Sequence, residues 1–124
     1  MKIGFLMSTV VLMMGGFFTM ANADVIYTPP VIVPALNAVN CRLVNVSGSA
    51  ITPTLSMYDT QANLLQPSYS TSVNSKTVIA IGDSYASEKE VFCKFTVSDK
   101  TKVRAEIAVS DATTGAQYLV LQAN

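Results

Sequence analysis

The sequence has 124 residues, with eight basic and eight acidic side chains, no histidine, no tryptophan and two cysteines. The missing histidine excludes Ser-His-Asp and Cys-His catalysis, imidazole metal sites and the commonest general base near neutral pH. The charge balance supplies neither the basic footprint of a nucleic-acid binder nor a polybasic patch for anionic lipid.

Lys2 gives a positive start, Ile3 to Met20 is an apolar run broken only by small or hydroxyl residues, and Ala21-Asn22-Ala23 is a small-x-small cleavage site. Residues 1–23 therefore read as a secretory signal peptide, cleaved before Asp24. A membrane anchor is the competing reading, but the small-residue end and the polar sequence beyond it favour cleavage. No cysteine follows closely enough to carry a lipid. The expected product is exported, to the periplasm or the extracellular medium, with no membrane insertion after cleavage. It keeps seven basic and eight acidic residues, and of the methionines and phenylalanines only Met57, Phe92 and Phe95. Its size suits one domain.

Residues 24–38 form a proline-rich extended arm, with Pro29, Pro30 and Pro34 among Val25, Ile26, Tyr27, Val31, Ile32 and Val33. Proline removes a backbone donor, so the arm suits a sheet edge and not a central strand. Residues 39–124 are expected to be the sandwich domain itself. Val39 to Val46 reads as a strand with Val39, Cys41 and Leu43 on one face. Ile51 to Tyr58 alternates again, either as the second half of a hairpin or as a strand in a facing sheet, with Pro53 suggesting an edge. Leu64-Leu65 reads as a short strand and Ser68 to Ser75 as a loop. Lys76 to Ile81 is a β-branched run of the kind buried on both sides. Gly82 to Glu90 is the longest polar connection. Val91 to Val97 alternates, with Cys93, Phe95 and Val97 inward against Lys94 and Thr96. Lys102 to Ser110 places Val103, Ala105, Ile107 and Val109 inward, and Ala116 to Gln122 is the last strand.

Two cysteines in an exported chain are expected to pair, so Cys41 and Cys93 form a disulfide between distant strands. A redox pair is disfavoured, because it usually shows two cysteines two residues apart at a helix start. The whole pattern fits an all-β, small antiparallel β-sandwich, immunoglobulin-like, with about seven strands and one inter-strand disulfide. A β-barrel is the alternative architecture. No tryptophan is available to pack on the disulfide, and Val91 stands where a tyrosine corner would place tyrosine.

The segments Cys41-Arg42-Leu43-Val44-Asn45-Val46-Ser47 and Cys93-Lys94-Phe95-Thr96-Val97 resemble those of small exported bacterial β-sandwich proteins of unassigned function. The resemblance implies the fold and export. It implies no activity.

Candidate chemistry is sparse. Gly82-Asp83-Ser84 opens like the nucleophile motif of secreted esterases, which needs a histidine this chain lacks; it reads as a loop after a strand. Ser75-Lys76 and Ser87-Glu88-Lys89 are adjacent in polar loops, where solvated lysines are expected. Glu88 and Glu90 flank Lys89 in a charged loop, and the Asp59 to Asn63 segment lacks the glycine and closing glutamate of a calcium loop. No metal and no cofactor are expected. Asn45-Val46-Ser47 matches an N-glycosylation acceptor. A recognition surface would be sought in the loop holding Asp83, Ser84, Tyr85, Glu88 and Lys89, with Tyr85 as aromatic anchor. The expected function is non-catalytic, structural or binding, outside the cytoplasm, with a protein or a cell-surface component as partner. A strand-donating assembly subunit using the arm is the alternative, and a histidine-free hydrolase acting through Asp83, Glu88 or Glu90 is the third.

Overall fold

The computed structural model describes residues 23–124; apart from Ala23, the expected signal peptide lies outside the described residues. Among the described residues the chain forms nine strands. These are β1 (Asp24–Tyr27), β2 (Val31–Val33), β3 (Ala38–Asn45), β4 (Thr54–Asp59), β5 (Tyr69–Ser70), β6 (Val78–Ser84), β7 (Lys89–Val97), β8 (Val103–Ser110) and β9 (Gln117–Gln122). A turn of 3-10 helix at Lys100–Lys102 precedes β8. The first sheet runs β1-β7-β4-β5 with β2 also on β7, and the second runs β6-β3-β8-β9. Their pairings are antiparallel.

Period-two alternation decides which residues meet between the sheets. β7 buries Val91, Cys93, Phe95 and Val97, β3 buries Val39, Cys41 and Leu43, and β8 buries Val103, Ala105, Ile107 and Val109. Leu55 and Met57 of β4 and Ile26, Val31 and Val33 of the arm complete the same cluster. Cys41 and Cys93 are bonded, with Cα atoms 5.8 Å apart and a separation of 52 positions in sequence. Each lies on a strand flanked on both sides, so the bond ties sheet centre to sheet centre. Closing a loop of that length stabilises the fold by about 4 kcal/mol on the chain-entropy account.

The arm lies along β7 in two pieces. Asp24 to Tyr27 pair with Val97 to Lys94, and Val31 to Val33 pair with Val91 to Lys89, so the arm carries one extra residue at the break. Thr28 fills that break: its N–H donates to the Cys93 carbonyl at 3.0 Å and its hydroxyl accepts from the Cys93 N–H at 2.9 Å. Pro29 and Pro30 have no N–H to offer β7, which is why the ladder breaks here. At the other end of the chain, Tyr27 and Asn124 exchange backbone hydrogen bonds at 3.0 and 2.9 Å.

Several expectations need correction. The strand count is nine because the arm contributes two strands and Tyr69–Ser70, expected as loop, pairs with β4. Leu64-Leu65 gives only a single bridge to Tyr58. The run at Lys76 to Ile81 is not buried on both sides: β6 is the edge of the second sheet, and Val78 is 56% exposed. Gly82 to Glu90 is not one long loop, since β6 continues to Ser84 and β7 starts at Lys89. Of the two arrangements open for β3 and β4, the facing-sheet one holds, and Pro53 sits buried just before β4 begins.

The two-sheet packing is a sandwich and not a barrel, but its end differs from the immunoglobulin order. There, the strand after the second cysteine strand lies beside it. Here β8 crosses to pair with β3, and the N-terminal arm takes the flank of β7 left open.

Candidate functional site

The expected recognition loop is distributed over three settings. Asp83 and Ser84 belong to the end of β6, Lys89 begins β7, and Glu88 is exposed between them. Gly82-Asp83-Ser84 is therefore strand, not the loop expected. A side chain at Gly82 would press into the Asn40 amide and come within 2.9 Å of the Val39 carbonyl, which accounts for the glycine. Asp83 turns back on the backbone, accepting the Ser84 N–H at 2.8 Å.

Tyr85 is not an outward anchor. It packs against the core, and its hydroxyl donates to the Met57 sulfur at 3.5 Å. Burial pushes its pKa above the usual tyrosine value, with the Asp83 charge adding to the effect. Lys89 closes over the ring, its Nζ 5.2 Å from the ring centre. The structure thus joins Tyr85 with Lys89 and leaves Asp83, Ser84 and Glu88 without a common focus.

The other sequence motifs serve the chain's own turns. Asn45 has no exposed surface, and its amide donates to the carbonyls of Ser49 and Val73 at 2.8 and 3.0 Å. Its oxygen accepts from the Ser47 N–H and hydroxyl at 2.9 and 2.7 Å, so the folded chain offers no glycan acceptor there. The Ser75 hydroxyl and the Lys76 ammonium donate to the carbonyls of Ser47 and Val46 respectively. Asp59 accepts the N–H groups of Gln61 and Asn63 at 2.9 Å, which closes a turn.

A different surface stands out on the outer face of the first sheet. Phe92 on β7 faces Tyr58 on β4, with ring centres 5.6 Å apart and planes inclined by 18°. Tyr27 on β1 lies 6.2 Å from Phe92 with planes at 54°. Together with Lys94 and Ala62 they line a shallow depression of about 140 Å³. Leu64 extends the row beyond Tyr58, and Val25 and Ile32 extend it along the arm. Tyr27 is 48% and Ile32 57% exposed. A contiguous exposed apolar row of this kind marks interaction surfaces in soluble proteins.

Sequence reasoning missed this row, although one signal was available. The arm is apolar on both faces: Ile26, Val31 and Val33 point into the core while Val25, Tyr27 and Ile32 point out. An edge strand with one wet face has no need of the second set.

No family model matches the chain, and no curated protein matches it in sequence. Among solved structures, the crystal structure of Thermotoga maritima 1070 is similar, with a TM-score of 0.54 over 83% of this chain and 94% of that one, at 5% identity. At that identity the likeness concerns the fold alone.

Proposed function

We propose that this chain is an exported, non-catalytic β-sandwich with a structural or binding role outside the cytoplasm, and that it acts by protein association through the outer face of its first sheet. The single observation that carries the reading is the arm's second apolar face, which continues into Phe92, Tyr58 and Leu64. Export rests on the signal-like residues 1–23 and on the disulfide, which persists in oxidising compartments. Acidic side chains spent on turns, Asp59, Asp99 and Asp111, support a structural role for them.

A second copy of the chain is the partner the face fits. Glu90 and Lys94 point outward from the same strand, one on either side of Phe92. A two-fold axis through Phe92 would set Lys94 of one molecule against Glu90 of the other and bring the apolar rows together.

The experiment has two parts. Intact mass of the exported protein should begin at Asp24, with thiols reactive only after reduction. Light scattering over a concentration series should then show dimers or larger species, and Tyr27→Asp should shift the midpoint at least tenfold to higher concentration. A wild-type protein that stays monomeric up to millimolar concentration would end the association reading.

A further inference from the structure

We infer that the arm Asp24–Val33 exchanges between copies, so that β1 and β2 of one molecule seat on β7 of another. The inference rests on the association reading above and names its mode. Three features of the arm carry it.

First, the arm is a separable piece. It contacts β7 through strand pairing, inserts Ile26, Val31 and Val33 into the core, and rejoins the body only through residues 34–37. Each of those contacts is reproduced when the arm comes from a second copy: the Thr28 bonds to Cys93, the Asp24 carboxylate accepting the Lys100 N–H at 2.8 Å, and the Tyr27 pair with Asn124. Second, the site it occupies is one that a neighbouring strand in sequence would fill in an immunoglobulin order, and here β8 has gone to the other sheet. β7 and the core are therefore incomplete without an arm, whichever molecule supplies it.

Third, the connection is strained in the closed form. Leu36 holds φ at 70°, in the left-handed region that a leucine rarely adopts, and its side chain is 64% exposed, so no packing repays the conformation. Its N–H donates to the Tyr85 carbonyl at 2.7 Å and the Asn37 N–H to the Pro34 carbonyl at 3.1 Å, which hold the turn shut. Straightening residues 34–37 releases Leu36 into an ordinary extended conformation, and Pro34 already favours one. Short strained hinges of this kind promote exchange of identical elements between copies.

The test uses two single variants of the full exported chain, Ile32→Cys and Glu90→Cys, at positions that face each other across β2 and β7 and point outward. Neither variant can form this bond within one molecule. Mixed at high concentration and oxidised, they should give a covalent heterodimer in at least fivefold excess over a mismatched mixture of Ile32→Cys with Ser98→Cys. Closed dimers and longer chains both support exchange, the first reciprocal and the second head to tail. Leu36→Gly should lower the cross-linked yield roughly fivefold by removing the strain of the closed turn. Cross-linking at the level of the mismatched mixture would overturn exchange. If the protein still associates by light scattering in that case, the face-to-face reading stands without exchange; if it is monomeric, both are lost.

Discussion

The side chain of Asn45, at the end of β3, holds the turn at residues 47–49 that follows it and ties both to the backbone of Val73, 28 positions further along. Removing it leaves the Ser47 N–H without its partner, while the Ser49 and Val73 carbonyls lose one of two donors and keep the Ser47 hydroxyl and the Ile51 N–H respectively; an unsatisfied group of this kind costs about 1–3 kcal/mol. Asn45→Ala should therefore destabilise the fold by roughly 1–3 kcal/mol, lowering the melting temperature by about 5 °C or more in a domain of this size. An unchanged thermal transition would show that water replaces the amide. This role could not be read from the sequence, where Asn-x-Ser suggests a glycan acceptor or a turn. The fault is general to polar residues, since their partners are set by tertiary approach and not by local pattern. Tyr85 illustrates the same point, because nothing adjacent to it announces Met57 as its neighbour. Cys41 and Cys93 were legible because each sits on the inward phase of a clear alternation, and the expectation of export called for their pairing, which the structure contains.

Strands were legible in proportion to how cleanly they alternate. β3, β7 and β8 alternate, and their inward residues are those the sequence indicated. β6 misled because its β-branched run satisfies an edge strand as well as a buried one; burial depends on whether a neighbour exists, which the run itself does not record. The aromatic row was hidden for a related reason, as Tyr27, Tyr58 and Phe92 come from three strands and only the pairing register makes them adjacent. Turns carry their own chemistry. Backbone N–H groups hold the Asp59 and Asp111 carboxyls below the usual 3.8, led by those of Asn63 and Thr114, and the Thr101 hydroxyl and N–H do the same for Asp99. A depressed folded pKa contributes stability that is fully present above 3.8 and is lost as pH falls through the folded value. The melting temperature should thus be flat from neutral pH down to about pH 5 and fall below about pH 4. The Asp111→Ala variant, lacking one turn carboxylate, should show a shallower fall. A parallel decline in variant and wild type would remove Asp111 from the account.

At the scale of the whole molecule, the sequence identifies which residues face inward but not which strands are neighbours. The connection from β7 through the 3-10 turn to β8 is short enough for a hairpin in one sheet or a crossing to the other, and the crossing is what occurs. That choice leaves the arm to complete the first sheet. It also leaves the ends of the folded chain paired through Tyr27 and Asn124, while the covalent bond lies deep between them. The position of that bond has a mechanical consequence. Tension applied at the two ends peels the arm and the last strands, but it passes through the sulfur bridge and bypasses everything between Cys41 and Cys93. At about 3.5 Å per extended residue, the 52-residue separation keeps about 180 Å of chain out of reach of the pull. In a stretching experiment the oxidised molecule should come up shorter than the reduced one by that length, and the strands inside the bridged loop should never bear the load.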